Sequence, residues 1–267
     1  KMLETNQILD QKAVAFSVDD AYSSFYKTAW PVFRDNGIPV TLFISTDIID
    51  KKTKGYMTWE EIKQFINEGG TVGQHTASHL HMPLNNVSKI KNDLLDSHKS
   101  WIKNIGFIPK LFAYPYGETS NEVIDILKEF EISHAFGQHS GVISNFDNKY
   151  YLPRFSLNEK FGQIERFEFA VNAYSLDIKN FLPIDMFLTD NKKPLIEFSV
   201  INNLKGNSID CFSNPNGEWS MQELTNITKN RIQIKLKNKY LSGRARLNCT
   251  TKVDEKWYWF GYQFLVK

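Results

Sequence analysis

The sequence predicts an α/β protein: a parallel sheet flanked by helices, followed by a smaller all-β module. Three observations predict this. Over the first 170 residues, short apolar runs alternate with helically spaced segments, the pattern of successive βα units with parallel strands. That many repeats allow the sheet to close into a barrel. After about residue 175 the helical spacing stops, and short strands alternate with Asn, Gly and Pro clusters, as in a β-sandwich. The 267 residues, 42% of them hydrophobic, suffice for one medium domain plus a small one. The expected division is 1–174 and 175–267.

Each element has a local reason. Ala13 to Val18 reads as a buried strand that ends in Asp19-Asp20. Ser23 to Asn36 has helical spacing, and Gly37 is a helix stop. Val40 to Ile44 is a second strand. Thr58 to Asn67 opens on Thr-Trp-Glu-Glu, a capping-box signature, and closes at Gly69-Gly70. Thr71-Val72-Gly73 leads into His75. Val87 to Asn104 is a long amphipathic helix. Leu111 to Ala113 is a strand before a Pro115-Tyr116-Gly117 turn. Ser120 to Phe130 is helical, His134 to Phe136 is a strand, and Phe161 to Ala173 is the last helix. Beyond it, 186–188, 195–200, 232–236, 245–250 and 257–260 read as strands.

Composition excludes several classes. A net charge of +2 is too weak for a general nucleic-acid binder. No apolar run approaches the length of a membrane span. The charge is uneven: residues 174–267 carry 14 basic and 9 acidic side chains, leaving 18 and 21 for the rest. Aromatic residues make up 14%, a level common to carbohydrate-active proteins and to well-packed cores. Cys211 and Cys249 form no CxxC pair, which argues against a structural zinc knuckle. The two could be buried free thiols or form one disulfide. The disulfide is the favoured expectation, and with it a secreted or periplasmic location; no apolar signal run is visible ahead of the first strand.

Three polar clusters sit at the ends of expected strands, where parallel α/β folds build their sites. The first is Asp19-Asp20, two adjacent carboxylates that need a metal, a cation or solvent. Capping a helix is their bland alternative. The second is His75-Thr76-Ala77-Ser78-His79, with His81 just beyond. Histidines at i and i+4 share one face of a helical turn and can present two imidazoles to one metal. The third is Tyr114-Pro115-Tyr116-Gly117, a rigid turn able to aim a backbone N–H at a substrate oxygen. Together, Asp20, His75 and His79 form an Asp/His/His set with room for water, and Asp19 is placed to act as a base.

This order of motifs resembles the polysaccharide deacetylases with a NodB homology domain, carbohydrate esterase family 4. Phe16 to Asp20 resembles the family's first motif, with Ala21 where Gly is usual. Gly73 to His79 resembles the second and Phe112 to Gly117 the third. The resemblance implies a distorted (β/α) barrel of seven or eight strands. It implies one divalent metal ion, zinc foremost and cobalt or nickel next, held by Asp20, His75 and His79. A metal-bound water would attack an acetamide carbonyl while Asp19 takes its proton. The Tyr116 N–H would stabilise the oxyanion, and Tyr114, Pro115 and Tyr116 would line the substrate. The implied substrate is an N-acetylated polysaccharide: poly-N-acetylglucosamine, a chitin-like chain or peptidoglycan glycan.

Two departures stand out. Ala113 occupies the place of the family's arginine that orients the base, and Arg154 in Leu152-Pro153-Arg154 is the candidate substitute. That tripeptide also resembles deacetylases of β-1,6-linked poly-N-acetylglucosamine. The late Leu-x-His motif is missing, since no His follows His139. His139, in a small polar loop past a strand, is the favoured general acid, with His81 as runner-up. An O-acetyl xylan esterase and an inactive carbohydrate-binding protein are the rival functions. In the C-terminal module, Trp257 and Trp259 could stack on sugars, pack a core or pack on the barrel, and Arg244 and Arg246 share a face that could meet an anionic polymer.

Overall fold

The computed structural model describes residues 13–215, 217–228 and 230–267; the stretch ahead of the first strand, residues 1–12, lies outside them. Five parallel strands form a curled half-barrel sheet in the order β1-β2-β3-β4-β5. They are β1 (Phe16–Asp19), β2 (Val40–Ile44), β3 (Thr71–Gln74), β4 (Leu111–Ala113) and β5 (His134–Phe136). Sequential parallel order brings all five C-terminal ends to one rim. The family resemblance implies seven or eight strands, and this sheet has five among the described residues. After β5 the chain makes only a one-residue parallel bridge, Phe136 to Leu152. Pro153 follows at once, with no N–H to offer a further strand on the outer side, and the Arg154 N–H bonds to the His139 carbonyl at 2.9 Å.

The helices are α1 (Trp30–Asp35), α2 (Thr46–Asp50), α3 (Trp59–Asn67), α4 (Val87–Asn104), α5 (Asn121–Glu129) and α6 (Ile164–Asn172). The capping box of α3 is present in both directions: the Glu61 N–H donates to Thr58 Oγ1 at 3.2 Å and the Thr58 N–H to Glu61 Oε2 at 2.8 Å. In α4, Ile90, Leu94, Ser97 and Trp101 are buried at three- and four-residue spacing, which faces one stripe to the sheet. The helix expected over 23–36 is split. A wide π-type turn spans Phe25–Ala29 before α1 begins. Pro31 has no N–H to bond back one α-turn, so the ladder widens ahead of it. The short helix α2 begins at Thr46, directly after β2, and periodicity over so few residues does not reveal it; Ser45 stands at its N-cap position but donates its hydroxyl to the His75 carbonyl at 2.7 Å.

The C-terminal strands are β6 (Tyr174–Ser175), β7 (Ile178–Leu182), β8 (Phe187–Leu188), β9 (Ile196–Val200), β10 (Asp210–Ser213), β11 (Ser220–Met221), β12 (Glu223–Asn226), β13 (Arg231–Lys235), β14 (Gly243–Val253) and β15 (Lys256–Val266). A six-stranded sheet runs β11-β10-β14-β15-β6 with β8 also on β15, and a four-stranded sheet runs β12-β13-β9-β7. Phe198 and Ile234 from one sheet share a core with Leu247 and Phe264 from the other. Cys211 and Cys249 face each other across β10 and β14 and form the expected disulfide.

The two parts of the chain interlock. Trp259 on β15 packs edge-on against Phe155 and Phe169, with ring centroids 5.5 and 5.4 Å apart. A Cβ on Gly261 would lie 1.8 Å from the Ser140 carbonyl oxygen, so β15 presses on the loop after β5 with bare backbone. Gly261→Ala is expected to destabilise the protein by about 3 kcal/mol, the upper end for overpacking, because both partners are main chain. Chemical denaturation would read it, and an unchanged midpoint would refute the close approach.

Candidate active site

At the end of β1 the backbone turns left-handed at two successive residues, Asp20 (φ 73°) and Ala21 (φ 58°). This conformation favours glycine, which explains why the related motif usually carries Gly where Ala21 stands. The turn lifts the Asp20 carboxylate onto the sheet rim. His75 and His79 meet it there, with Nε2 atoms 3.6 and 3.4 Å from Asp20 Oδ1. One ligand atom from each of the three residues lies within 4.8 Å of the others.

The two histidines do not share a helical turn, as their spacing suggests. They sit on an irregular loop with Thr76 (φ 65°) and His79 (φ 57°) both left-handed. Asp93 of α4 holds that loop, accepting the Ala77 N–H at 2.7 Å and the Ser78 N–H at 3.2 Å. His75 is fully buried, and its Nδ1 donates to the Ala113 carbonyl at 2.7 Å. Its Nε2 is buried without a hydrogen-bond partner. Burial and the neighbouring His75 push the His79 pKa below its ordinary value, outweighing the pull of Asp20 and Asp19, so its ring stays neutral. One imidazole anchored through Nδ1 with its Nε2 left without a partner, a second imidazole beside it and a carboxylate form a donor set that fits a divalent ion.

Asp19, next in the chain, points to a different partner. Arg154 clamps it bidentately, Nη1 to Oδ1 at 2.7 Å and Nη2 to Oδ2 at 2.9 Å. The guanidinium is itself fixed by Ser17 Oγ at 3.0 Å and the Gly137 carbonyl at 2.8 Å. Burial works to raise the Asp19 pKa, but Arg154, with His75 and Gln138, outweighs it and holds the carboxyl at about 2. Arg154 thus reaches the carboxylate from beside β5, whereas Ala113 at the end of β4 has no side chain to do so.

The turn after β4 places only one of its three aromatic or proline candidates at the surface. Tyr114 is 0% exposed and donates its hydroxyl to the Tyr150 carbonyl; Pro115 is buried as well. Both build the turn, contrary to the expectation that they line the substrate. Tyr116, left-handed at φ 60°, reaches the site. Its ring stacks on His81 at 3.8 Å with planes 5° apart, and His79 meets it edge-on at 4.5 Å. His81 Nδ1 lies 2.7 Å from Oε2 of Glu118, whose side chain is almost wholly buried.

His139 is buried and does not line the cleft that holds Asp20 and His79. It is buried against Tyr151, 4.3 Å between centroids, and near Tyr262 of β15. Burial, reinforced by Arg154 and Arg246, drops its pKa to about 3, so it carries no proton to give at neutral pH. The loop sequence is polar, but β15 covers it, a packing invisible from local spacing. Three features escaped the sequence reading. Glu118 follows the turn motif directly. Tyr22, 45% exposed, stacks on Tyr56 at 4.7 Å beside Asp20 and His79 in one cleft, with Ile48 and Lys51. Gln263 is the lone amide in the aromatic strand β15.

The sequence profile of the polysaccharide deacetylase family matches residues 6–135. The chain is 25% identical over 161 residues to the poly-beta-1,6-N-acetyl-D-glucosamine N-deacetylase of Staphylococcus aureus strain MRSA252, covering 56% of each. It therefore spans about half the length of that relative. Among solved structures, IcaB from Ammonifex degensii is 25% identical with a TM-score of 0.53, over 59% of this chain and 73% of that one. The Streptococcus pyogenes deacetylase PplD in complex with acetate shares the fold at 19% identity and a TM-score of 0.57, over 60% of this chain and 71% of that one. With the half-barrel sheet and the motif residues gathered on its rim, the profile match over residues 6–135 and these likenesses identify a polysaccharide deacetylase domain in this chain.

Proposed function

We propose that the protein is a metal-dependent N-deacetylase of N-acetylglucosamine polysaccharide, with the β-1,6-linked polymer as its preferred substrate. One observation carries the reading: a carboxylate clamped by Arg154 stands next in the chain to a ready set of three metal donors. The relative from Staphylococcus aureus and the position of Arg154 after Leu152-Pro153 support the linkage. The domain boundary is proposed near residue 174, where the chain enters the C-terminal sheets. Export is supported by the Cys211–Cys249 disulfide.

Asp20, His75 and His79 would hold the ion. When bound, a divalent ion supplies Lewis-acid activation of water and of the acetamide carbonyl. Asp19 accepts the proton of the attacking water, held in place by Arg154 and kept ionised by it. The Tyr116 N–H, at the bend of a rigid turn, donates to the oxygen that gains charge. His81 delivers the proton to the departing amine. Its Nδ1 donates to Glu118, which leaves Nε2 as the exchanging nitrogen, and Tyr116 holds the ring flat. Tyr22 and Tyr56 offer a stacked aromatic wall to a neighbouring sugar ring.

The test is acetate release from β-1,6- and β-1,4-linked N-acetylglucosamine oligomers by metal-loaded and chelated protein. The expected result is release from the β-1,6 oligomer that stops on chelation and returns with zinc. Release from acetylated xylan alone would replace the reading with an esterase. Silence on all three substrates would replace it with sugar binding without catalysis.

A further inference from the structure

We propose that the C-terminal β-sheet is a working part of the active site, with Gln263 as a positioning residue that sets the Tyr116 turn. This rests on the reading of Tyr116 N–H as an oxyanion donor.

Gln263 lies on β15 and is 1% exposed. Its side-chain amide donates to two consecutive carbonyls, Tyr116 O at 3.1 Å and Gly117 O at 3.0 Å. Its Oε1 accepts from Arg246 Nε at 3.1 Å, directly across the strand pair. The guanidinium can only donate, so it fixes which end of the amide faces the turn. The main chain of Gln263 is held from the barrel side as well, since Tyr151 donates its hydroxyl to the Gln263 carbonyl at 2.8 Å.

The turn needs such a clamp. Tyr116 and Gly117 are both left-handed, φ 60° and 68°, a conformation that a tyrosine holds only when its surroundings dictate it. The turn's own hydrogen bonds use the carbonyls of Tyr114 and Pro115, which accept the N–H groups of Gly117 and Glu118. The next two carbonyls, those of Tyr116 and Gly117, are taken by Gln263. The whole backbone unit of Tyr116 is thereby prevented from rocking, and its N–H keeps one direction. The same sheet touches the site again through Arg244, whose Nε lies 3.9 Å from Glu118 Oε1 and whose guanidinium lies 5.9 Å from the Tyr116 ring centre. Arg246 is engaged by Gln263, while Arg244 reaches Glu118 and keeps an exposed face. Gly117 packs against Gln138, whose amide lies 3.4 Å from Asp19, so a shift of the turn would also reach the base.

Gln263→Met removes both donated bonds at similar size. We expect kcat for acetate release to fall about 10- to 100-fold, less than deletion of an oxyanion donor, with KM and zinc affinity within about twofold. Amide hydrogen exchange should quicken at Gly117 and Glu118 and stay unchanged in α3. Arg246→Gln, a milder variant at a partly exposed position, should lower kcat about threefold to tenfold with the fold retained. A folded Gln263→Met protein with native kcat overturns the proposal. So does a loss of kcat matched by an equal loss of zinc affinity, which marks general disruption. If the native protein itself releases no acetate, the proposed function fails; if the native protein is active and the variants match it, only the role of Gln263 fails.

Discussion

Replacing Asp19 by Asn is expected to lower kcat for acetate release about 1,000-fold in a protein that still folds and binds zinc. Asn keeps the size of the side chain and one oxygen for the Arg154 fork. It loses the charge and the ability to take a proton, a role worth roughly 10² to 10⁴ in rate. Arg154→Met tests the other half of the pair. Without the guanidinium, the burial that works to raise the Asp19 pKa is opposed only by the weaker pulls of His75 and Gln138. The sign follows: in the native protein Asp19 stays ionised down to about pH 2, so it does not limit activity on the acidic side. In Arg154→Met its pKa rises, and the acidic limb of kcat/KM moves to higher pH. Steady-state rates over a pH series would show both effects. An Asp19→Asn protein that kept a tenth of native kcat would remove Asp19 from the chemistry, and an unmoved acidic limb in Arg154→Met would reduce Arg154 to a structural ion pair.

Much of this site was legible because parallel strand order turns sequence position into spatial position. Asp20 follows β1, His75 follows β3 and Tyr116 follows β4, so motifs far apart in sequence had to share one rim once the strands were placed. The helices with strong caps were also legible, as with Thr58 and Glu61. What was hidden depended on contacts across the chain. The split before α1 turns on one proline, the loop carrying His75 and His79 is shaped by Asp93 from α4, and the strand count depends on where pairing stops after Leu152. The misplacement of His139 has the same origin. A polar loop at a strand end looks like a site until β15, far along the chain, is known to cover it.

His81→Gln is the second change with a large expected effect: kcat on N-acetyl substrates should fall about 100- to 1,000-fold. Glutamine can still bond Glu118 but holds no exchangeable acid proton, so the amine must leave without help. The loss should shrink to a few-fold on an acetyl ester of p-nitrophenol, whose leaving group departs as an anion and needs no proton. That contrast separates a proton donor from a residue that merely shapes the site, because a shape defect would slow both substrates alike. His139→Gln provides the counter-test. Its ring fills a space between Tyr151 and Tyr262 and is neutral at any working pH. Its replacement should lower the melting temperature while leaving kcat per folded molecule, and the amide-to-ester ratio, close to native. The opposite pattern, with His139→Gln losing amide activity selectively and His81→Gln losing none, would return the acid role to His139 and require β15 to move aside during turnover. The Gly261 contact with Ser140 weighs against that movement, because bare backbone holds the two segments together there.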